Sequence, residues 1–357
     1  MKKQQKQTPA ALEKALQPSI QGTRHAIKFI AGFVLALLKT RTSNLAKVAV
    51  AVETKAETAS TYRQIQRFLD NRKKVVIDYF GLLKISGKVT IAIDRTEWKF
   101  GERWINILTL SVVYRQIAIP IMWHTINQKG NASAAQHIEI IQRFIAEFGT
   151  ERISKVLADR EFGSRELFEF LLSAEIDFLI RLKSNHLADG MSFKKRWGDV
   201  GQRVKLRGKV KTKVFGLEIY VSCVKLKKAG KLEYLIVASG KRNIRALEEY
   251  KLRWRIETMF GCLKSRGFDF EETHLSEARK ISKLLQLLGV ALCLAVLMGE
   301  IQVQKLKRVE MKLKNNGRYA KSLFKIGLEA LQNILFNLKI PDKSKCFNLL
   351  LILLSCT

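Results

Sequence analysis

The chain has 357 residues, 47% hydrophobic and 9% aromatic, which is enough to bury more than one average core and too apolar for a disordered chain. Lys and Arg number 64 against 32 Asp and Glu, a formal net charge of +32, and a folded surface with that excess attracts a polyanion and gains affinity by releasing its condensed counterions. The five cysteines (Cys223, Cys262, Cys293, Cys346, Cys356) and five histidines are scattered, with no Cys-x-x-Cys pair, which excludes a cysteine zinc site and a disulfide framework and suits a reducing cytosol.

The basic start, Met1 to Lys6, is not followed promptly by an apolar run with a small-residue cleavage site. Residues 1–80 read as a helical DNA-binding region. Ile27–Leu38 and Leu45–Val52 are apolar helical stretches, and Ser60 is placed to cap a helix over Thr61–Leu69. In that helix Tyr62, Ile65, Phe68 and Leu69 fall on one face and Arg63, Gln64 and Arg67 on another. A short helix presenting Arg and Gln after another helix resembles a helix-turn-helix reader of DNA; an ordinary amphipathic helix with a solvated basic face has the same pattern.

From Val89 the texture changes. Val89–Ile93 is a run of strand formers ending at Asp94, and Trp104–Tyr114 and Ile117–Ile126 follow as strands joined by a tight turn at Arg115-Gln116. Ala134–Phe148 is a helix stopped by Gly149, Ile153–Ala158 a strand ending at Asp159, Ser164–Leu172 a capped helix and Phe178–Leu182 a fifth strand. Three strands, then helix, strand, helix, strand, is the element order of an RNase H-like α/β core, here assigned to residues 81–185 and 242–300. A β-rich insertion over 186–241 interrupts it, with strands at Lys213–Leu226 and Leu232–Ala238. A long helix over Ile244–Lys264 then closes the core. Residues 301–357 are predicted as a helical C-terminal region. The apolar runs Ile27–Leu38 and Leu284–Met298 fall short of the ~20 residues that span a bilayer, so both read as buried core helices of a soluble, cytoplasmic protein.

Three carboxylates stand out by position. Asp94 and Asp159 end apolar strands, and Glu257 lies on a helix. An acid on an apolar strand is costly to bury unless a cation compensates it. Phosphodiester cleavage needs such a cation: two Mg²⁺ ions about 3.5–4 Å apart activate the attacking oxygen and stabilise the leaving one, and three hard carboxylate donors suffice to hold them. Around Glu257, residues Tyr250, Arg253, Glu257 and Lys264 are spaced to share one helix face. An acid there can hold metal while Arg and Lys grip phosphates; the same spacing also permits an ordinary Arg253–Glu257 ion pair.

Tyr250-x₂-Arg253-x₃-Glu257-x₆-Lys264 resembles the Tyr-x₂-Arg-x₃-Glu-x₆-Lys signature of the insertion-sequence 4 family of bacterial DDE transposases, matched at all four positions. Asp159-Arg160-Glu161-Phe162 is similar to that family's second-aspartate motif, and Asp94-Arg95-Thr96 to its first. The β-rich insertion ahead of the glutamate is also a family feature. The resemblance implies a cut-and-paste transposase with Asp94, Asp159 and Glu257 as its catalytic, metal-binding triad and two Mg²⁺ ions per site, replaceable by Mn²⁺. One strand would be nicked at each end of the element, the freed 3′-hydroxyl would close a hairpin, and after hairpin hydrolysis the 3′ ends would join target DNA. Tyr250, Arg253 and Lys264 would contact double-stranded DNA near the element's ends. Trp254 would stack on an unpaired base or pack in the core, and Trp197, Tyr220 and Tyr234 are further candidates for holding a flipped base. Concerted joining of two ends implies a homodimer on paired DNA ends. The rival readings are an RNase H-like nuclease without strand transfer and a non-catalytic DNA-binding repressor; the intact triad weighs against the second.

Overall fold

A computed structural model describes residues 2–126, 129–196, 206–228, 231–314 and 319–355. The chain divides into two compact units. One comprises residues 87–97 and 104–258; the other gathers 1–86, 98–103 and 259–357.

Five helices come first: α1 (Lys2–Leu16), α2 (Arg24–Thr40), α3 (Leu45–Ala51), α4 (Thr58–Asp70) and α5 (Tyr79–Leu83). The Thr23 and Asn44 side chains cap α2 and α3 by accepting from backbone amides. Helix α4 starts earlier than the sequence suggests, so Ser60 lies inside its first turn rather than capping it. Of the expected apolar face Ile65 and Leu69 are buried and Tyr62 and Phe68 half-buried, Thr61 is buried beside them, and Arg63, Gln64 and Arg67 are exposed.

Strands β1 (Val89–Phe100), β2 (Arg103–Tyr114) and β3 (Ile117–Ile126), helix α6 (Ala134–Phe148), strand β4 (Ile153–Ala158), helix α7 (Arg165–Ser173) and strand β5 (Phe178–Leu182) follow in the predicted order. Ser133 forms a capping box with Gln136 at the start of α6, and Ser164 caps α7. The strands lie in the order β3-β2-β1-β4-β5. β4 is parallel to both β1 and β5, and β2 pairs antiparallel with β3.

The insertion extends the same sheet instead of forming a separate one. It supplies β6 (Leu206–Val214), β7 (Leu217–Lys228) and β8 (Lys231–Ser239). β8 pairs antiparallel with the core strand β5 through Ile236–Leu182 and Val237–Arg181, and two short strands at Leu187–Ala188 and Met191–Ser192 complete a ten-stranded sheet among the described residues. The single strand expected over Lys213–Leu226 is two. The chain reverses at Phe215-Gly216, both at positive φ, so that Val214 pairs with Leu217, as in a two-residue hairpin turn.

The helix expected over Ile244–Lys264 is likewise broken. It comprises α8 (Ala246–Glu249), a 3₁₀ turn over Tyr250–Arg253, and α9 (Trp254–Leu263). The C-terminal helices are α10 (Ala278–Glu300), which runs into a π-helical turn at Ile301–Lys305, then α11 (Leu323–Phe336) and α12 (Pro341–Ser355). Within the helical unit α10 is central and packs against α2, α4, α5 and α11, and α1 packs against α2 and α12. Residues from both ends of the chain therefore share one core. Ala278–Lys305 is longer than the apolar run read from sequence, and by length and composition it could cross a membrane; 89% of its most apolar window is buried inside the protein, as a core helix requires.

Candidate active site

The last register pair between β1 and β4 is Ile93 with Ala158. Asp159 is the first residue past β4, whereas Asp94 lies within β1, which does not end there as the sequence suggests but runs on to Phe100. The two aspartates follow the last parallel pair and so lie together at the carboxyl end of that ladder, where open α/β sheets place their ligands. Asp94 Oδ1 accepts from the Arg95 amide at 2.8 Å, and its Oδ2 accepts from Arg253 Nη1 at 3.3 Å. Burial pushes the Asp94 carboxyl up to about 7; the Arg95 amide and the Arg253 charge pull it back, while Glu161 and Asp159 push it further. Asp159 Oδ1 accepts from the Tyr250 hydroxyl at 3.4 Å and faces Arg181 Nη1 at 3.9 Å.

The 3₁₀ turn explains how Tyr250 and Arg253 reach these acids. At three residues per turn, positions i and i+3 eclipse, so the Arg253 guanidinium lies over the Tyr250 ring, 5.7 Å from its centre. Both side chains are buried. Burial raises the Tyr250 pKa well above its ordinary value, which keeps the phenol protonated as a donor. One α-helical turn further on, Arg253 Nη2 pairs with Glu257 Oε1. Burial opposes the charge on Arg253, yet Tyr250, Asp159, Glu257 and Asp94 outweigh it and raise its pKa. One guanidinium therefore bonds to Asp94 and Glu257 and lies in the field of Asp159. Among the described residues, no three His, Cys, Asp or Glu side chains are gathered closely enough to share one metal ion; Arg253 stands among the three acids. The donor set is nevertheless all carboxylate oxygen, of the kind that suits Mg²⁺ or Mn²⁺, and an acid whose burial keeps it protonated up to about pH 7 is one that a further cation would stabilise in its ionised form.

Trp254 is half exposed at the start of α9. Lys264 follows α9 in the helical unit, where it pairs with Glu271 at 2.6 Å and lies over the Trp98 ring at 5.3 Å. Arg63, Gln64 and Arg67 belong to α4 in that same unit. Tyr220 and Tyr234 are half-buried on β7 and β8, and Lys225 lies over the Tyr234 ring; Trp197 lies outside the described residues.

Sequence reasoning passed over a second network. Arg95 Nη1 donates to Glu97 at 2.7 Å and to Asn106 at 3.3 Å; its Nη2 donates to Asn131 at 3.1 Å and to Glu161 at 3.4 Å. The signal available was that Arg95 and Glu161 each stand within two residues of a candidate aspartate.

The family model described as the transposase DDE domain matches residues 85–294, more than half of the chain and all three carboxylates. No curated protein matches significantly. Among solved structures, the chain is similar to a piggyBac transposase in the cryo-EM structure of its synaptic complex with hairpin DNA, at a TM-score of 0.46 and 11% identity over 93% of this chain and 77% of that one. The chain belongs to the DDE transposase family, enzymes of DNA cleavage and strand transfer.

Proposed function

We propose that this is an insertion-sequence transposase of the insertion-sequence 4 type, with an RNase H-like core, that cuts its element from double-stranded DNA and pastes it elsewhere through a hairpin intermediate. One observation carries the reading: Asp94 and Asp159, just past the last register pair of two adjacent parallel strands, face the same guanidinium as Glu257. Asp94, Asp159 and Glu257 would hold the divalent cations, two Mg²⁺ or Mn²⁺ ions, which when bound supply an activated oxygen nucleophile and stabilise the leaving oxygen.

The chain's own groups do the rest. Tyr250 donates to Asp159 and orients it. Arg253 holds Asp94 and Glu257 and presents a planar fork suited to a phosphate. Trp254, half exposed beside it, offers a face to an unpaired base, and Lys264 supplies a point charge for DNA beyond the cut. On α4, Arg63, Gln64 and Arg67 present an exposed basic face for the element's ends. The reaction is assigned to the cytoplasm, in a homodimer assembled on paired ends.

The test uses DNA carrying the inverted repeats that flank the gene. With Mg²⁺, the full chain is expected to give hairpin-ended products on a denaturing gel and to join the element's 3′ ends to a target plasmid. Nicking with no joined product would make it a nuclease, and binding with no cut would make it a repressor. Arg63→Ala with Arg67→Ala is expected to weaken protection of the ends; unchanged footprints would remove α4 from recognition.

A further inference from the structure

The ladder between β1 and β4 stops at Ile93 and Ala158, one residue short of both aspartates. Past that point the relative placement of Asp94 and Asp159 depends on something other than paired strands. The residues immediately beyond supply it. Arg95 and Asp94 are neighbours on a strand, so their side chains leave on opposite faces; the Arg95 amide nevertheless donates to Asp94 Oδ1. On its own face the Arg95 side chain reaches Glu161, in the 3₁₀ turn Arg160–Phe162 that follows Asp159. That turn is anchored by Phe162, fully buried and packed on the His137 ring at 4.2 Å. The strand side is anchored by Asn106, which accepts from Arg95 and donates to the Gly130 carbonyl at 2.8 Å. Both ends of the ion pair are thus fixed to rigid elements, and its side chains are only 11% and 21% exposed, so solvent and salt screen it weakly.

We infer that the Arg95–Glu161 ion pair is a positioning clasp, which continues the β1–β4 pairing beyond its last backbone bond and holds Asp94 and Asp159 beside one another, where they would bind a metal ion together. The inference rests on the reading of Asp94, Asp159 and Glu257 as the metal-binding acids. Neither clasp residue belongs to the three acids; each would act through the aspartate beside it. Groups that orient metal ligands in this way commonly change metal affinity by about 10–100-fold when removed.

The experiment measures Mn²⁺ binding to the full-length chain by water-proton relaxation, with no DNA and no turnover, alongside the melting temperature of each variant. Glu161→Gln, which keeps the side chain's shape, and Arg95→Gln are each expected to weaken Mn²⁺ binding by about tenfold or more. Because the two act as one unit, the double variant is expected to bind no more weakly than the worse single one. Wild-type affinity in both single variants, with lowered melting temperatures, would make the pair structural only and overturn the clasp. Additive losses in the double variant would overturn it as well. Asp94→Ala separates this failure from that of the underlying reading: if wild type binds no more Mn²⁺ than Asp94→Ala, the carboxylate site falls and takes the clasp with it.

Discussion

At the scale of single residues, Asp94 and one buried histidine make opposite demands on pH. Asp94→Ala, Asp159→Ala and Glu257→Ala are each expected to abolish DNA cleavage while leaving DNA binding largely intact, because basic residues supply most affinity for phosphates whereas the acids serve the chemistry. Gel shift and cleavage assays on the same preparations check this, and Mg²⁺-dependent cutting by any one variant removes that residue from the triad. His137 lies 2% exposed on α6, with no hydrogen-bond partner at either ring nitrogen among the described residues; burial first, and then the Arg95 charge, lower its pKa to about 4. A histidine held below its unfolded value of ~6.5 binds fewer protons when folded, so its contribution is present above pH ~6.5 and is lost as pH falls towards 4, by about 3 kcal/mol. Asp94 has the opposite sign: its raised pKa makes stability fall as pH rises from about 4 to about 7. The informative quantity is therefore the difference between wild type and His137→Leu in denaturant melts. The variant is expected to gain on wild type as pH drops from 6.5 to 4; parallel curves would mean that His137 takes up its proton as readily in the fold as in the unfolded chain. The three acids stand out in sequence because Asp94 and Asp159 close apolar runs and Glu257 completes a fixed spacing. The Arg95–Glu161 pair was not, because its partners are 66 residues apart and only the sheet brings them together.

At the scale of elements, α10 and α11 meet backbone to backbone. A Cβ built on Gly327 would stand 1.7 Å from the Ala295 carbonyl oxygen and 2.5 Å from the Gly299 nitrogen, so that helix pair depends on the absence of a side chain. Gly327→Ala is expected to cost about 1–3 kcal/mol or more, because neither backbone atom can move aside as a flexible side chain would; an unchanged melting temperature would show that the helices can separate freely. The strands of the core were readable because runs such as Ile153–Ala158 combine branched apolar residues with clear stops. The insertion was misread where a run of strand formers continues through Phe215-Gly216, leaving the glycine as the only local sign of a turn. The 3₁₀ turn at Tyr250–Arg253 was hidden for another reason. Its residues suit an α-helix equally well, and what accompanies the tighter winding is the stacking of Arg253 on Tyr250 against Asp94 and Asp159, contacts made across the fold.

At the scale of the whole molecule, a charge of +32 makes two copies repel until phosphates neutralise them. The protein is accordingly expected to scatter light as a monomer or weak dimer at moderate salt and as a dimer once two DNA ends are added. Phe336 on α11 and Ile352 on α12 are exposed apolar side chains available for contact between copies. A complex of one chain and one end that still completed paired-end cleavage would show that no dimer is needed. The helical unit's dependence on both ends of the chain also sets a timetable during synthesis. Roughly 240 residues separate the end of α2 from the start of α10, so at ~5–20 residues per second the apolar face of α2 waits roughly 10–50 s for its partner. In that interval the catalytic sheet can already have emerged and folded. The nascent chain would carry its acids in place before the helical unit is complete, and a ribosome that stalls late would release a protein with a finished active site and half a core.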